Sequence, residues 1–309
     1  MNRRSVLEAA AFGGISAAVA ATGPAAAAET KASGRPGAAP RPYFVEARDG
    51  TRLYVGDWGS GRPVVLLTGW TLNSDIWGSH IAALAAKGFR CIAPDRRGHG
   101  RSDVPVGGYD VDTLTDDVAA VMERLDLSDC VLVGYSMGSM EAVRYMARHG
   151  SARVSRLVLI APVTPYLLKT EDNPDAVPRA MIEAQYAEIA KDFPKWIADN
   201  EPPFFTPDTG AETRSWIKTM MTSVPLPVAL ACRSAISTTD TRAALSRIDR
   251  PTLIVHGDKD ASAPIPITGA KSAKLIPGAK LVVVEGAPHA LILTHRERVL
   301  AELLKFLGA

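Results

Sequence analysis

The segment Val133-Gly134-Tyr135-Ser136-Met137-Gly138-Ser139 decides how the rest of the chain is read. It closes an apolar run, Cys130 to Tyr135, and opens a stretch with helical periodicity, Met137 to His149. A serine forced into a tight strand-to-helix turn has its hydroxyl exposed and close to the free amides of the helix start. Glycines two residues to either side relieve the backbone crowding that such a turn creates. A lone Gly-x-Ser-x-Gly is common by chance. The strand before it and the helix after it give the motif meaning here, and they make Ser136 a candidate nucleophile.

Outward from this turn, short apolar runs alternate with helical stretches. Pro63 to Thr68 is continuously apolar, as a strand covered on both faces of a parallel sheet should be. Arg90 to Pro94, Val154 to Ile160, Thr252 to His256 and Lys280 to Glu285 read the same way, with helices over Ile76 to Lys87, Thr113 to Leu127 and Ala290 to Leu307. Tyr43 to Ala47 and Arg52 to Trp58, separated by Asp49-Gly50, read as an opening hairpin. The expected fold class is α/β, a doubly wound, mostly parallel sheet with its site at the carboxyl ends of the strands. Between Ile160 and Thr252 the rhythm stops, and prolines punctuate short helical pieces. A structureless loop of that length is improbable in a compact domain, so residues of about 163–246 are expected to form a helical cap over the site.

A serine hydroxyl is a weak nucleophile near neutrality and needs a base, held in the right tautomer by a third group. After an elbow of this kind the acid comes first along the chain and the histidine second. Leu253 to Asp260 is a strand running into an acidic loop, and Val282 to His289 is a strand running into a loop histidine. His289 is therefore the expected base. Asp258 and Asp260 both suit the orienting role, and spacing does not separate them. Of the other histidines, His256 reads as a packed strand residue and His149 as the end of a helix, where a cation suits the dipole. His80 and His295 are expected on helix faces turned to solvent or to a partner chain. His99, in a loop at the same rim, is the rival base. Two amides are needed to hold the oxyanion of a tetrahedral intermediate. Met137 at the helix start is expected to supply one, and Trp70, in Thr68-Gly69-Trp70-Thr71 after the central strand, the other.

Composition removes several other classes. The 309 residues carry Lys+Arg 35 against Asp+Glu 33, with no basic stripe to neutralise a phosphate backbone, so a nucleic-acid partner is not expected. The three cysteines, Cys91, Cys130 and Cys232, have no paired spacing, and no ligand-spaced cluster predicts a metal. Arg3-Arg4, an apolar stretch from Ala9 to Thr22 and the small residues Ala25 to Ala28 have the order of a cleaved export signal over 1–28. That stretch is shorter than the roughly 20 apolar residues a membrane span requires, so no stable span is expected. The paired arginines resemble a twin-arginine signal, with Glu8 departing from the usual basic residue, and imply a periplasmic or secreted protein. Residues 29–42, rich in Ala, Gly and Pro, read as a linker ahead of a single domain over 43–309. Any assembly is expected to be a symmetric homo-oligomer.

Together, Asp49-Gly50-Thr51, Thr68-Gly69-Trp70, Asp95 to Ser102, Gly134 to Gly138, His256 to Asp260 and Gly286-Ala287-Pro288-His289 resemble the α/β-hydrolase superfamily. More narrowly they are similar to its cofactor-free bacterial haloperoxidase and perhydrolase-esterase branch, over nearly the whole chain from about Tyr43 to Leu307. The resemblance implies a triad of Ser136, Asp260 and His289, which favours Asp260 over Asp258. It also implies an esterase acting on small-molecule esters through an acyl-enzyme, with water or hydrogen peroxide as the second nucleophile and no haem, vanadium, flavin or other cofactor. Lactones or amides are alternative substrates of the same machinery, and a ligand-binding protein with decayed catalysis is the alternative outside enzymes. Two positions depart from the branch. Thr68 stands where a histidine usually precedes Gly-Trp, and Tyr135 where histidine or phenylalanine usually precedes the serine.

Overall fold

The computed structural model describes residues 43–309, so the export-signal reading of 1–28 and the linker reading of 29–42 lie outside the described residues. Eight strands form one sheet: β1 (Phe44–Glu46), β2 (Arg52–Gly59), β3 (Arg62–Leu67), β4 (Phe89–Pro94), β5 (Cys130–Tyr135), β6 (Val154–Ile160), β7 (Thr252–Gly257) and β8 (Lys280–Val284). Their order is β1-β2-β4-β3-β5-β6-β7-β8. Only β2 runs against its neighbours, and every pairing from β4 to β8 is parallel.

The apolar runs are explained by burial on both faces: every residue of β5 and of β7 is buried. Alternate side chains go to opposite layers. Val64, Leu66, Val131 and Val133 face a core that includes Trp77, Leu84, Val299 and Leu303. Val65, Leu67, Leu132 and Ile254 face one that includes Val118, Met122, Val143 and Leu245. The first layer is covered by α1 (Gly78–Ala86) and α11 (Arg296–Leu307), the second by α2 (Val111–Arg124), α3 (Met137–Arg148) and α8 (Arg242–Leu245). Each fully buried aliphatic chain contributes roughly 1.5–3 kcal/mol.

Between β6 and β7 lie α4 (Arg179–Lys191), α5 (Phe193–Asp199), α6 (Ala211–Thr222), α7 (Leu226–Thr238) and α8, with no long strand among them. The apolar faces of α4, α5 and α7 form a third cluster, Ile189, Phe193, Ile197, Val228, Ala229 and Ile236, which closes on Met137 and Met140 at the start of α3. These helices therefore pack on the strand-to-helix turn itself. After β7 come α9 (Gly269–Leu275) and, past β8, α10 (Leu291–Thr294). No helix among the described residues is long and apolar enough to cross a membrane.

Two local expectations are corrected. The helix expected over Ala290 to Leu307 is broken at His295, whose backbone leaves helical geometry at φ −122°, ψ 34° and whose Nδ1 lies 2.9 Å from Thr294 Oγ1. His80 does not face solvent. It is fully buried, with its ring edge-on to Trp77 at 5.4 Å, because the apolar face of α1 turns toward the sheet at this point.

Candidate active site

Ser136 sits between β5 and α3 with φ +52° and ψ −117°, a conformation that L-residues rarely adopt. The flanking glycines are required by contact. A Cβ on Gly134 would lie 2.4 Å from the Gly138 carbonyl oxygen, and one on Gly138 would lie 2.8 Å from Leu67. The turn holds the serine hydroxyl over the start of α3, where the first amides lack intrahelical partners.

Loops from the carboxyl ends of β7 and β8 reach the same point. Ser136 Oγ lies 2.9 Å from His289 Nε2, and His289 Nδ1 lies 2.7 Å from Asp260 Oδ2. Asp260 is buried, and its Oδ1 accepts the Ala263 amide at 2.7 Å. Its Oδ2 is also 3.1 Å from His256 Nε2. Burial alone would raise the Asp260 carboxyl, but the imidazoles of His289 and His256 outweigh it and hold the group well below the usual carboxylate range. An ionised carboxylate facing Nδ1 selects the tautomer that leaves Nε2 free to accept from a hydroxyl.

The alternatives are placed elsewhere. Asp258 Oδ1 accepts the Gly286 amide at 2.7 Å and braces the loop before His289. His99 is buried, with Nδ1 2.9 Å from the Arg97 carbonyl; burial and then the Arg96 charge hold its pKa down to about 3.

A model of the alpha/beta hydrolase family matches residues 64–302. The chain belongs to that family. Among its relatives, the non-heme chloroperoxidase CPO-A1 of Kitasatospora aureofaciens is 39% identical over 84% of this chain and 98% of its own. The bifunctional esterase/perhydrolase DCH of Acinetobacter calcoaceticus is 36% identical over 85% and 99%. The bromoperoxidase structure from Bacillus anthracis superposes with a TM-score of 0.83 at 34% identity, over 86% of this chain and 99% of that one.

Within this alpha/beta hydrolase chain, the loop after β3 lies against the serine: a Cβ on Gly69 would be 3.3 Å from Ser136 Cβ. That proximity places the Trp70 backbone beside the turn. The Trp70 indole Nε1 donates to the Ala229 carbonyl on α7 at 2.8 Å, which ties the loop to the cap. From behind, the Arg96 guanidinium donates to the carbonyls of Thr68 at 2.7 Å and Gly69 at 3.0 Å, and its Nε donates to Glu141 on α3. Burial works against the Arg96 charge, but Glu141 outweighs it and keeps the guanidinium protonated. The positions that depart from the branch are both occupied structurally. Tyr135 is buried and donates its hydroxyl to the His289 carbonyl at 3.0 Å, and Thr68 Oγ1 donates to the Leu72 carbonyl at 3.1 Å.

A cavity of about 170 Å³ opens on Ser136 and His289, walled by Trp70, Trp196, Phe204, Phe205 and Met221 among others. Of the apolar residues in the cap's 203–221 stretch, Pro203, Phe204, Phe205, Ile217 and Met221 line the cavity. Met220 is buried in the core and Trp216 is exposed. Sequence reading missed two polar members of the wall, Gln185 and Arg233, and the fork of Arg96, because their partners lie on other helices and loops. His256 was legible only as a packed strand residue; its place four residues before Asp260 is the one local signal for its contact. Among the described residues, no group of three or more His, Cys, Asp or Glu side chains converges as metal ligands would.

Proposed function

We propose that this protein is a serine hydrolase of small carboxylic esters. The observation that carries the reading is the unbroken line from Ser136 Oγ through His289 to Asp260, at 2.9 and 2.7 Å, opening into an apolar cavity. Ser136 Oγ attacks the ester carbonyl while His289 Nε2 takes its proton, and the Met137 and Trp70 amides receive the oxyanion. The C–O bond to the alcohol breaks as His289 returns the proton to the leaving oxygen, which leaves an acyl-enzyme. Water then attacks, His289 takes its proton, and the acid departs as Ser136 is reprotonated. Hydrogen peroxide in place of water gives a peracid by the same proton transfers, and a peracid oxidises free halide to hypohalous acid while reverting to the carboxylic acid. The names of the relatives, esterase/perhydrolase and non-heme chloroperoxidase, support this second outlet. Export through the Arg3-Arg4 segment is part of the same proposal and rests on the sequence alone.

Ser136→Ala is expected to abolish p-nitrophenyl acetate hydrolysis with the urea midpoint retained. In acetate buffer with peroxide and bromide, the same variant is expected to lose halogenation of an indicator in parallel. Retained hydrolysis would remove the proposal. Retained halogenation with hydrolysis lost would separate the two reactions.

A further inference from the structure

The cavity beside Ser136 holds a cation without an anion. Arg233, on α7, lines it together with Ser136 and His289. Its Nη2 donates at 2.6 Å to the Gln185 side-chain oxygen, a neutral acceptor on α4, and its Nε is buried without a hydrogen-bond partner. Burial pulls its pKa below the ordinary arginine value, and no neighbouring carboxylate opposes that. Arg233 as a whole is half-buried, but a guanidinium nitrogen held out of water with no anion beside it destabilises the fold that contains it. The rest of the wall does not supply the missing charge. Glu201 is the one carboxylate among the described residues of the lining, and it is taken up by Arg214 at 2.9 Å. Lys218, exposed on α6, adds a further positive charge.

We propose that Arg233 recognises a carboxylate on the substrate, so that the preferred esters are small and carry one negative charge. A planar carboxylate matches the guanidinium fork, and inside a largely apolar wall such a charge-assisted pair is stronger than in water. The inference rests on the serine hydrolase reading for where the ester carbonyl sits, but not for the binding of the anion. Apolar residues, Trp196, Phe204 and Ile236, fill the remaining wall and suit a short methylene chain.

Binding is measured in the Ser136→Ala protein, where turnover does not enter. Monomethyl glutarate carries the charge on the acyl side, acetoxyacetate carries it on the alcohol side, and dimethyl glutarate is the uncharged reference. At least one charged ester is expected to bind about 10- to 100-fold tighter than dimethyl glutarate by calorimetry. Adding Arg233→Met is expected to erase that difference, and Arg233→Lys to keep part of it. Arg233→Met alone is also expected to raise the Tm of the free protein, whereas a purely structural arginine would lower it on removal. Equal affinity for charged and uncharged esters, including no measurable binding of any, overturns the proposal. So does a preference that survives Arg233→Met. Charge-selective binding in a protein whose parent with Ser136 intact hydrolyses none of the three would defeat the hydrolase reading and leave this one standing.

Discussion

A single buried arginine governs the spacing of the two amides proposed to hold the oxyanion. The carbonyl of Gly69 and the N–H of Trp70 belong to one peptide unit, so the Arg96 hydrogen bond to that carbonyl fixes the plane of the donor. Glu141 stands four residues into α3 from Met137, the other donor, and holds the same guanidinium. The pair therefore joins loop to helix behind the site. Arg96→Met strands a buried carboxylate and is expected to cost about 3–5 kcal/mol of stability. Arg96→Met with Glu141→Met should recover most of that in urea unfolding while kcat stays lowered about 10²-fold, since the Trp70 peptide has lost its anchor. Recovery of both would make the pair merely structural. None of this is legible in the motif Asp95 to Ser102, because the partners lie 27, 28 and 45 residues away along the chain. Arg233 is hidden for the same reason: the lack of an anionic partner is a property of the folded wall and leaves no local mark.

The elbow shows how an element carries stored strain. Its glycines were legible as relief for a sharp turn, and the contacts at Gly134 and Gly138 give the physical cause: backbone from the far side of the turn and from β3 fills the space a methyl group would need. Ser136 itself keeps φ +52°, at a cost of about 1–3 kcal/mol for a side-chain-bearing residue. Ser136→Gly is thus expected to be more stable to urea than Ser136→Ala by about 1 kcal/mol, after the greater chain entropy of glycine is subtracted. An equal or lower midpoint for the glycine variant would mean that the turn is not strained. The strands and the nucleophile helix were readable because continuous apolar runs and helical periodicity are local signals. The break at His295 was not, since Leu291 to Leu307 keeps apolar spacing through it.

At the scale of the whole molecule, stability should depend on buried imidazoles that stay neutral. Burial, and then the charge of Arg296, holds the His80 pKa down to about 4, and burial with the Arg96 charge holds that of His99 down to about 3. Below the ordinary histidine value of about 6.5 the unfolded chain takes up protons at both positions while the folded chain does not. Stability is therefore complete above that value and drains as pH falls through it toward about 4 for His80 and about 3 for His99. Asp260, held low by its two imidazoles, adds a loss only at more acid pH. Asp117, which burial pushes up to about 6, takes up a proton in the folded state over the same range and offsets part of this loss. His80→Phe is therefore expected to lose less of its urea midpoint than the parent between pH 6.5 and 4, and an unchanged slope would contradict neutral burial of His80. The order nucleophile, acid, histidine was legible at the ends of β5, β7 and β8, whereas their meeting depends on a sheet that brings residues 153 apart in sequence to 2.9 Å. That meeting is tested most directly by intact-mass and peptide mapping after a fluorophosphonate probe. The account predicts one adduct, on Ser136, absent from Ser136→Ala and formed at least about 10²-fold more slowly in His289→Ala. An adduct on another residue, or undiminished labelling without His289, would contradict it.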